Sequence, residues 1–291
     1  KLYMKKLFTL FICLLGFFLT FAQEPTTKEE EILLDEFFDE NQMINDLIAS
    51  MSSYQFLYVS MNYNSDTYFS GRDIGLQQYN VRPEISYGHS NGFFANLSGT
   101  YYSEFIPKWD LTTATIGYGK TFGKKKLFKY HTSYSRYFYS SNIDHLYSNT
   151  LNVGISVRNK KRSVGTQLTG SYIFGTDQSF QITSRSYASF TLLNEKKAKL
   201  ILKPQLSIIG GMQTIELAQI SSLNGELITD YILNDVVDLI NTQVSVPLQF
   251  NTRSFDLELG YNINLPSAIG NESKLKTTTF FNFSIAYLIE L

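Results

Sequence analysis

Apolar and polar side chains alternate with a period of two residues along most of this sequence, from about residue 53 to its end. In the segment SFDLELGYNIN, residues 254–264, every second residue from Phe255 to Ile263 is apolar. The segment TFFNFSIAYLIEL, residues 279–291, alternates in the same way from Phe281 onward. Successive side chains of a β-strand point to opposite faces, so the pattern predicts strands with one apolar and one polar face.

The alternation divides the chain into about twelve predicted strands of about 10–14 residues each. They are predicted near residues 54–63, 80–90, 93–103, 110–122, 127–140, 148–158, 163–175, 179–192, 198–209, 242–251, 254–264 and 277–290. Strands of soluble proteins average about 5–6 residues, whereas a tilted strand needs about 9–11 residues to cross a bilayer. The lengths therefore indicate that the apolar face meets lipid.

The predicted connections alternate between short and long. The short ones are Asn91-Gly92, 123–126, 159–162, 194–197 and 251–253; the longer ones are 64–79, 104–109, 141–147, 210–241 and 265–276, with one further short connection near 175–178. Asn91-Gly92 is typical of a type I′ hairpin turn. The longest connection, 210–241, contains a second Asn-Gly at 224–225, and we expect its two flanking strands to continue as a protruding hairpin.

Short turns at one end of the strands and long loops at the other are typical of outer-membrane β-barrels. Aromatic residues fall at both ends, as in the girdles of such barrels: Tyr63, Tyr101, Tyr172 and Phe174 at the loop end, and Tyr118, Phe190, Phe250 and Phe255 at the turn end. A soluble β-sandwich or lipocalin-like barrel is disfavoured, because the polar face is rich in Gly, Ser, Thr and Asn and poor in Lys and Glu. Backbone groups without partners are costly in hydrocarbon, so the strands must close into a barrel.

Two regions precede the strands. Residues 1–23 are predicted to be a signal peptide that is removed, because two lysines precede the apolar run LFTLFICLLGFFLTFA. This run contains Cys13, the only cysteine, so the mature chain has no thiol for a disulfide, a metal or catalysis. Residues 24–52 are acidic, and their apolar residues recur at three- and four-residue steps, which predicts one or two short amphipathic helices. Residues 53–291 form the predicted barrel.

As a whole, residues 53–291 resemble Gram-negative outer-membrane β-barrel proteins. The last strand, Thr277–Leu291, resembles their C-terminal assembly signal, although the family usually ends in an aromatic residue and this chain ends in Leu291. The resemblance implies an all-β fold, a transmembrane antiparallel up-and-down β-barrel in the cell outer membrane with both termini in the periplasm. It implies membrane lipid and the barrel assembly machinery as partners, and no nucleic acid.

Polar residues on the predicted inward face are the candidates for lining the lumen. They are Arg82, Glu84, Gln167, Arg185, Lys203, Gln205, Gln249, Asp256, Glu258 and Asn262. Charges at membrane depth must face water or one another. Two interpretations stay open: mutual salt bridges that fill a structural barrel, and a narrow water-filled path for small polar solutes. Strand number does not decide between them, since twelve lies between filled and open barrels.

Three of the short turns are basic. Their residues are Lys124, Lys125, Lys126, Lys160, Lys161, Arg162, Lys196 and Lys197. They are predicted to form a periplasmic rim at the end where the acidic region emerges, and we hypothesise that Glu24–Glu40 rests against this rim or partly closes the lumen. Alternatively, residues 24–50 reach a periplasmic partner and the lysines contact lipid headgroups.

No catalytic, metal or cofactor site is predicted. His89 and Ser90 are adjacent, so in a strand they point to opposite faces and cannot form a nucleophile–base pair. His131 and His145 are isolated, and the sequence has no phosphate loop or dinucleotide motif. The leading prediction is a non-enzymatic pore for small polar solutes, with the acidic helix near or in its periplasmic mouth. The alternative is a structural or docking barrel that binds a partner through its loops or its N-terminal segment.

Overall fold

The computed structural model describes residues 55–69, 71–73, 75–105, 107–123, 126–140, 147–195, 197–223, 226–268 and 275–291. The predicted signal peptide and acidic segment lie outside these ranges, as do Lys124, Lys125, Lys196 and the Asn-Gly pair at 224–225. Across the described ranges, no helix has the length and apolar character to cross a bilayer.

The described residues form sixteen strands. These are β1 Gln55–Asn64, β2 Tyr68–Phe69, β3 Arg72–Asp73, β4 Asn80–His89, β5 Phe93–Tyr102, β6 Trp109–Phe122, β7 Phe128–Tyr139, β8 Tyr147–Arg158, β9 Val164–Gly175, β10 Gln178–Ala188, β11 Phe190–Glu195, β12 Ala198–Leu202, β13 Gln205–Leu223, β14 Glu226–Thr252, β15 Phe255–Pro266 and β16 Thr278–Glu290. All but β2 and β3 belong to one antiparallel sheet.

This sheet closes into a barrel. Its order is β11-β12-β14-β13-β10-β9-β8-β7-β6-β5-β4-β1-β16-β15, and pairing of β14 with β15 completes the ring. β10 and β11 are parts of one barrel strand separated at Ser189, and β12 and β13 are parts of another separated at Lys203 and Pro204. The second break follows from Pro204, which has no N–H for the ladder. The ring therefore has twelve strand positions, which confirms the predicted closed up-and-down barrel.

The barrel surface is mainly apolar and the interior mainly polar. On β8, Val153 and Ile155 point outward and are 57% and 58% exposed, whereas Asn152, which precedes Val153, points inward. On β1, exposed Val59 and Met61 alternate with the buried Ser60. An apolar band of this extent is stable in lipid, whereas in water it would cause aggregation. The architecture is that of a transmembrane outer-membrane β-barrel.

Four inward-facing rings form a layer near the short-turn end of the lumen, and each lies over a glycine directly across from it on the neighbouring strand. The pairs are Phe56–Gly88, Phe94–Gly117, His131–Gly154 and Tyr187–Gly165. A Cβ on any of these glycines would overlap the ring. Glycine at these positions therefore allows the rings to lie flat against the wall. We call these four rings the ring layer.

The short turns lie at the barrel end that contains Gln55 and Leu291. The hairpin predicted at Asn91-Gly92 is confirmed, but type I′ geometry is wrong. Three residues, 90–92, connect β4 to β5, and Gly92 has a φ of 108° while Asn91 has no positive φ. Type I′ needs positive φ at both central residues. Here the Asn91 side chain accepts a bond from the backbone N of Phe93 at 2.9 Å, and His89 Nδ1 accepts one from Asn91 N at 3.1 Å. These side-chain bonds stabilise the longer turn.

The turn at 159–163 contains a strained residue. Arg162 has a φ of 56°, a left-handed conformation that costs a residue with a Cβ about 1–2 kcal/mol. We expect Arg162→Gly to have a free energy of unfolding about 1 kcal/mol higher than Arg162→Ala, since both lack the side chain and only Ala keeps the Cβ. Urea unfolding in detergent micelles measures the difference. At Lys161, which has no positive φ, the order of the two variants should reverse; the same order at both positions would contradict the explanation.

β13 and β14 extend far beyond the other strands at the loop end. β13 pairs with β10 as far as Gly211, and β14 pairs with β15 as far as Asn241. Beyond these points the two strands pair with each other as far as Leu223 and Glu226. An arm of this length projects about 40 Å. The protruding hairpin predicted within 210–241 is confirmed.

Candidate functional site

The described residues enclose a larger and a smaller cavity inside the barrel. The larger, of about 410 Å³, is lined by β4 to β10. The smaller, of about 240 Å³, is lined by β1, β10 and β13 to β16. Arg185 of β10 lines both cavities, so they adjoin at its side chain. Its Nε lies 3.4 Å from Ser207 Oγ on β13, which it reaches along the inner wall.

Strand register places all ten sequence-predicted lumen residues on the inward face, but at different depths. Arg82, Glu84, Gln167 and Arg185 line the larger cavity; Arg185, Gln205, Glu258 and Asn262 line the smaller one; Lys203, Gln249 and Asp256 lie nearer the short turns and are buried. The Lys203 ammonium lies 4.5 Å from the centre of the Tyr187 ring, in the ring layer. Whether these residues line a conducting path stays a prediction.

The charged wall of the larger cavity is a connected hydrogen-bond network. Arg82 Nη2 lies 3.5 Å from Glu84 Oε2 and donates to Ser98 Oγ at 3.2 Å. Ser86 Oγ donates to Glu84 Oε1 at 3.1 Å, and Asn96 Nδ2 donates to Ser86 Oγ at 2.8 Å. Each charge thus has partners that hold its position. All of these partners lie on β4 and β5, so the network follows one part of the wall.

Sequence reasoning missed the opposite wall of this cavity. It consists of short uncharged side chains on β6 to β9, such as Thr115 and Ser135, whose hydroxyls lie 2.8 Å apart, and Asn152, which accepts from Ser171 Oγ at 2.7 Å. Charge was the criterion for choosing lumen residues, and these carry none. Their two-residue alternation with exposed residues such as Ile116 was the signal that would have found them.

The smaller cavity is organised around Glu258. Its carboxylate accepts from Gln249 Nε2 at 3.0 Å and from Asn282 Nδ2 at 2.9 Å. Asn262 Nδ2 donates to Asn282 Oδ1 at 2.7 Å and extends this chain of amides along the wall. Arg185 supplies positive charge to the same cavity. Both cavities therefore present both signs of charge together with many neutral hydrogen-bonding groups.

The first long loop folds over the loop-end mouth, where the sequence predicted only a connection. Its short hairpin, β2 and β3, contacts the rim at β15 and β16, the strands that follow β1 around the closed ring. Arg72 Nη2 donates to Ser267 O at 3.1 Å, and Thr278 Oγ1 donates to Gly71 O at 2.8 Å. The Tyr68 hydroxyl lies 3.1 Å from Thr279 O. Burial, and then the adjacent Asp66 carboxylate, raise the pKa of Tyr68 to about 12, so its hydroxyl keeps its proton at neutral pH.

The short-turn end is rich in positive charge. Of the predicted rim, Lys126, Lys160, Lys161, Arg162 and Lys197 are described and lie at this end. Four further basic residues face inward just inside it: Lys129, Arg158, Lys199 and Lys203. We call these four residues the basic collar. Sequence reasoning had found only Lys203, because the others stand at strand ends, where inward and outward faces are hard to assign.

The sequence predicted that His89 and Ser90 do not form a nucleophile–base pair, and the structure places the two residues as follows. His89 is the last residue of β4 and faces outward, while Ser90 belongs to the turn. Among the residues that the structure describes, no three His, Cys, Asp or Glu side chains gather as they would around a metal ion.

No protein-family model and no curated protein matches the sequence. Among solved structures, the chain is similar to the KdgM porin, with 9% sequence identity, a TM-score of 0.45, and 79% of this chain and 98% of that chain covered. The NanC porin has 13% identity, a TM-score of 0.44 and the same coverage of 79% and 98%. The COG4313 outer membrane channel from Pseudomonas putida F1 has 10% identity and a TM-score of 0.43, with 83% and 97% covered. Similarity at this level does not identify a ligand.

Proposed function

We propose that this chain is an outer-membrane barrel through which small polar solutes pass. The observation that carries the proposal is the pair of polar cavities, of about 410 and 240 Å³, that adjoin at Arg185. Polar cavities far larger than one water molecule hold water. The described side chains form hydrogen bonds along the wall and leave the two cavities unfilled. This arrangement favours a barrel through which solutes pass over one with a purely structural or docking role.

The ring layer limits what can pass. Phe94 and His131 belong to this layer and also line the larger cavity, so they narrow its short-turn side. The first-loop hairpin narrows the opposite mouth by its contacts with Ser267 and Thr278. Solutes must therefore be small, and the mixed charges and amides of the wall suit neutral polar or zwitterionic molecules.

The connections support an orientation with the short turns in the periplasm. Gln55 and Leu291 lie together at this end, where Leu291 N donates to Gln55 O at 3.0 Å. Both ends of the barrel are then periplasmic, and the acidic segment before Gln55 begins at the periplasmic mouth.

Conductance across planar lipid bilayers tests the proposed function. The full mature chain should give discrete conductance steps, and Thr115→Trp should reduce them, because Thr115 lines the larger cavity. The matched control is Ile116→Trp, since Ile116 is the next residue of β6 and is 55% exposed on the outer face. This control should conduct like the unchanged protein. Barrels that insert into the bilayer and give no conductance would contradict the proposal.

A further inference from the structure

One strand at the short-turn end has a neighbouring strand on one side alone. β11 is the last strand in the sheet order and pairs with β12, and no second described strand pairs with it. On its other side, β9 begins at Val164, directly across from Ala188, the last residue of β10. The bond from Ser189 N to Ser163 O, at 2.8 Å, completes that pairing, and β11 begins at the next residue. We call the side of β11 without a neighbouring strand its open edge.

The side chains of β11 are as exposed as its edge. All six of its residues are exposed, and the apolar ones, Phe190, Leu192 and Leu193, are 54%, 56% and 43% exposed. A bulge between Thr191 and Leu193 bends the strand locally. However, β11 contains no lysine or proline, the residues that usually protect an exposed edge, and its one charged residue, Glu195, stands at its end.

The distance of β11 from the membrane makes this exposure informative. β10 alone has 11 residues, which is enough to cross a bilayer, so β11 continues beyond the membrane-spanning part. Backbone groups without partners are too costly in hydrocarbon for the open edge to lie there. Exposed apolar side chains that lie close together in water, in turn, mark interaction sites. A further strand at the open edge would supply partners for the backbone and cover for the side chains.

The end of the open edge nearest the membrane is basic. Lys160 and Lys161 lie in the turn that precedes β9, the turn that Ser189 contacts. Neither lysine forms an ion pair with a described residue. At the other end, Lys197 and Glu195 carry opposite charges. An antiparallel strand on β11 would place its C-terminal end beside Lys160 and Lys161, so charge complementarity favours a strand with acidic residues at that end.

The same edge of a second copy of this chain does not fit the open edge. Copies in one membrane are related by an axis along the membrane normal, so their β11 strands cannot lie antiparallel to each other. A water-soluble protein has no such restriction. With the short turns in the periplasm, as proposed above, that protein is periplasmic.

We propose that the open edge of β11 binds an extended segment of a periplasmic protein as an added antiparallel strand, with acidic residues at the C-terminal end of the segment. In this mode of recognition, main-chain hydrogen bonds give affinity and contacts with alternate side chains give specificity. Phe190 and Leu193 share one face of β11, where they would contact apolar residues of the segment. The docking does not depend on the passage of solutes.

A fluorescent synthetic peptide tests the binding. The probe consists of alternating valine and threonine followed by aspartates at its C-terminal end, and its anisotropy is measured with the full mature chain in lipid nanodiscs. We expect saturable binding. A control peptide with the same side chains and N-methylated amides should bind at least about ten-fold more weakly, because it cannot donate main-chain hydrogen bonds. No binding of the probe, or equal binding of both peptides, would overturn the proposal.

Disulfide cross-linking locates the bound peptide. In a Cys13→Ser background, Leu193→Cys should cross-link to a probe that carries one cysteine at its centre. The matched control is Val157→Cys, because Val157 is similarly exposed at 45%, lies near the short-turn end and belongs to a strand that is paired on both sides. Equal yields at the two positions, or none at position 193, would overturn the placement on β11.

Charge tests the assigned direction. Lys160→Gln combined with Lys161→Gln should weaken binding of the probe several-fold, as should high salt. Lys120→Gln should not, because Lys120 is exposed on the outer face of β6. A peptide with its aspartates at the N-terminal end should bind more weakly than the probe, and equal binding of the two would overturn the direction. A dimer of the chain in sedimentation that the probe dissociates would overturn the choice of partner in favour of a second copy.

Discussion

Replacing Arg185 by alanine is expected to raise the conductance of the barrel several-fold. The Arg185 side chain lines both cavities, so its removal joins about 410 Å³ and 240 Å³ into one continuous space. The substitution also removes a fixed positive charge from the path, and charged side chains in a pore set its ion selectivity. Single-channel recording in symmetric salt measures the conductance, and the reversal potential in a salt gradient should move toward cation preference.

Arg136→Ala is the matched control for Arg185→Ala. Arg136 lies on the outer side of β7, where its Nη1 donates to Asn149 Oδ1 at 2.8 Å and to Ser148 Oγ at 3.3 Å. Its removal deletes the same side chain without touching the lumen, so conductance and selectivity should stay as they are. An unchanged conductance in Arg185→Ala, or an equal rise in both variants, would show that Arg185 does not separate the two spaces.

The second large effect is expected at Gly117, which lies directly under the Phe94 ring of the ring layer. A Cβ at this position would overlap the Phe94 ring and lie 2.7 Å from the backbone oxygen of Thr132. Because the carbonyl belongs to the barrel ladder, it cannot move away as a flexible side chain would. Overpacking of this kind costs about 1–3 kcal/mol, and we expect Gly117→Val to lower the free energy of unfolding by at least that amount.

Gly170 provides the control for Gly117. It lies on the outer face of β9, and a Cβ there would meet only the oxygen of Val153, at 4.0 Å. Since β-branched residues favour strands, Gly170→Val should be neutral or stabilising. Urea unfolding in lipid vesicles measures both variants through the fluorescence of Trp109, the only tryptophan.

A double substitution separates overlap with the ring from a general intolerance of Gly117. Gly117→Ala should be destabilising alone and less so in a Phe94→Ala background, because the ring that it would strike is gone. A double-mutant cycle measures this coupling. Additive losses would mean that the Phe94 ring is not what requires glycine at this position.

Much of the barrel followed from local pattern. The alternation from Phe255 to Ile263 assigned each residue of β15 to a face, because a strand has only two faces and one of them meets lipid. The same reasoning located the ten proposed lumen residues on the inward side. It failed at Asn91, where the side chains of Asn91 and His89 accept hydrogen bonds from backbone N–H groups and stabilise a three-residue turn that the Asn-Gly motif does not specify.

Other features depend on residues far apart in the chain. The first-loop hairpin lies over the mouth because Arg72 contacts Ser267 and Gly71 contacts Thr278, at the ends of β15 and β16, which the closed ring brings beside β1. Nothing within residues 64–79 specifies these partners. The collar members Lys129 and Lys199 likewise share a mouth only because the sheet closes, since they stand on strands that do not pair with each other.

The sequence by itself determined the class of fold, the approximate number of strands and the faces of residues well inside each strand, since these depend on a two-residue period that any stretch of strand displays. Only the tertiary structure decided which groups meet: Phe94 with Gly117, Arg185 with both cavities, and the first-loop hairpin with the rim at β15 and β16. The physical reason is that closing the ring sets the register between strands and places the last strand beside the first. The positions of the inward side chains in the closed ring then decide which parts of the lumen are filled and which stay open as cavities.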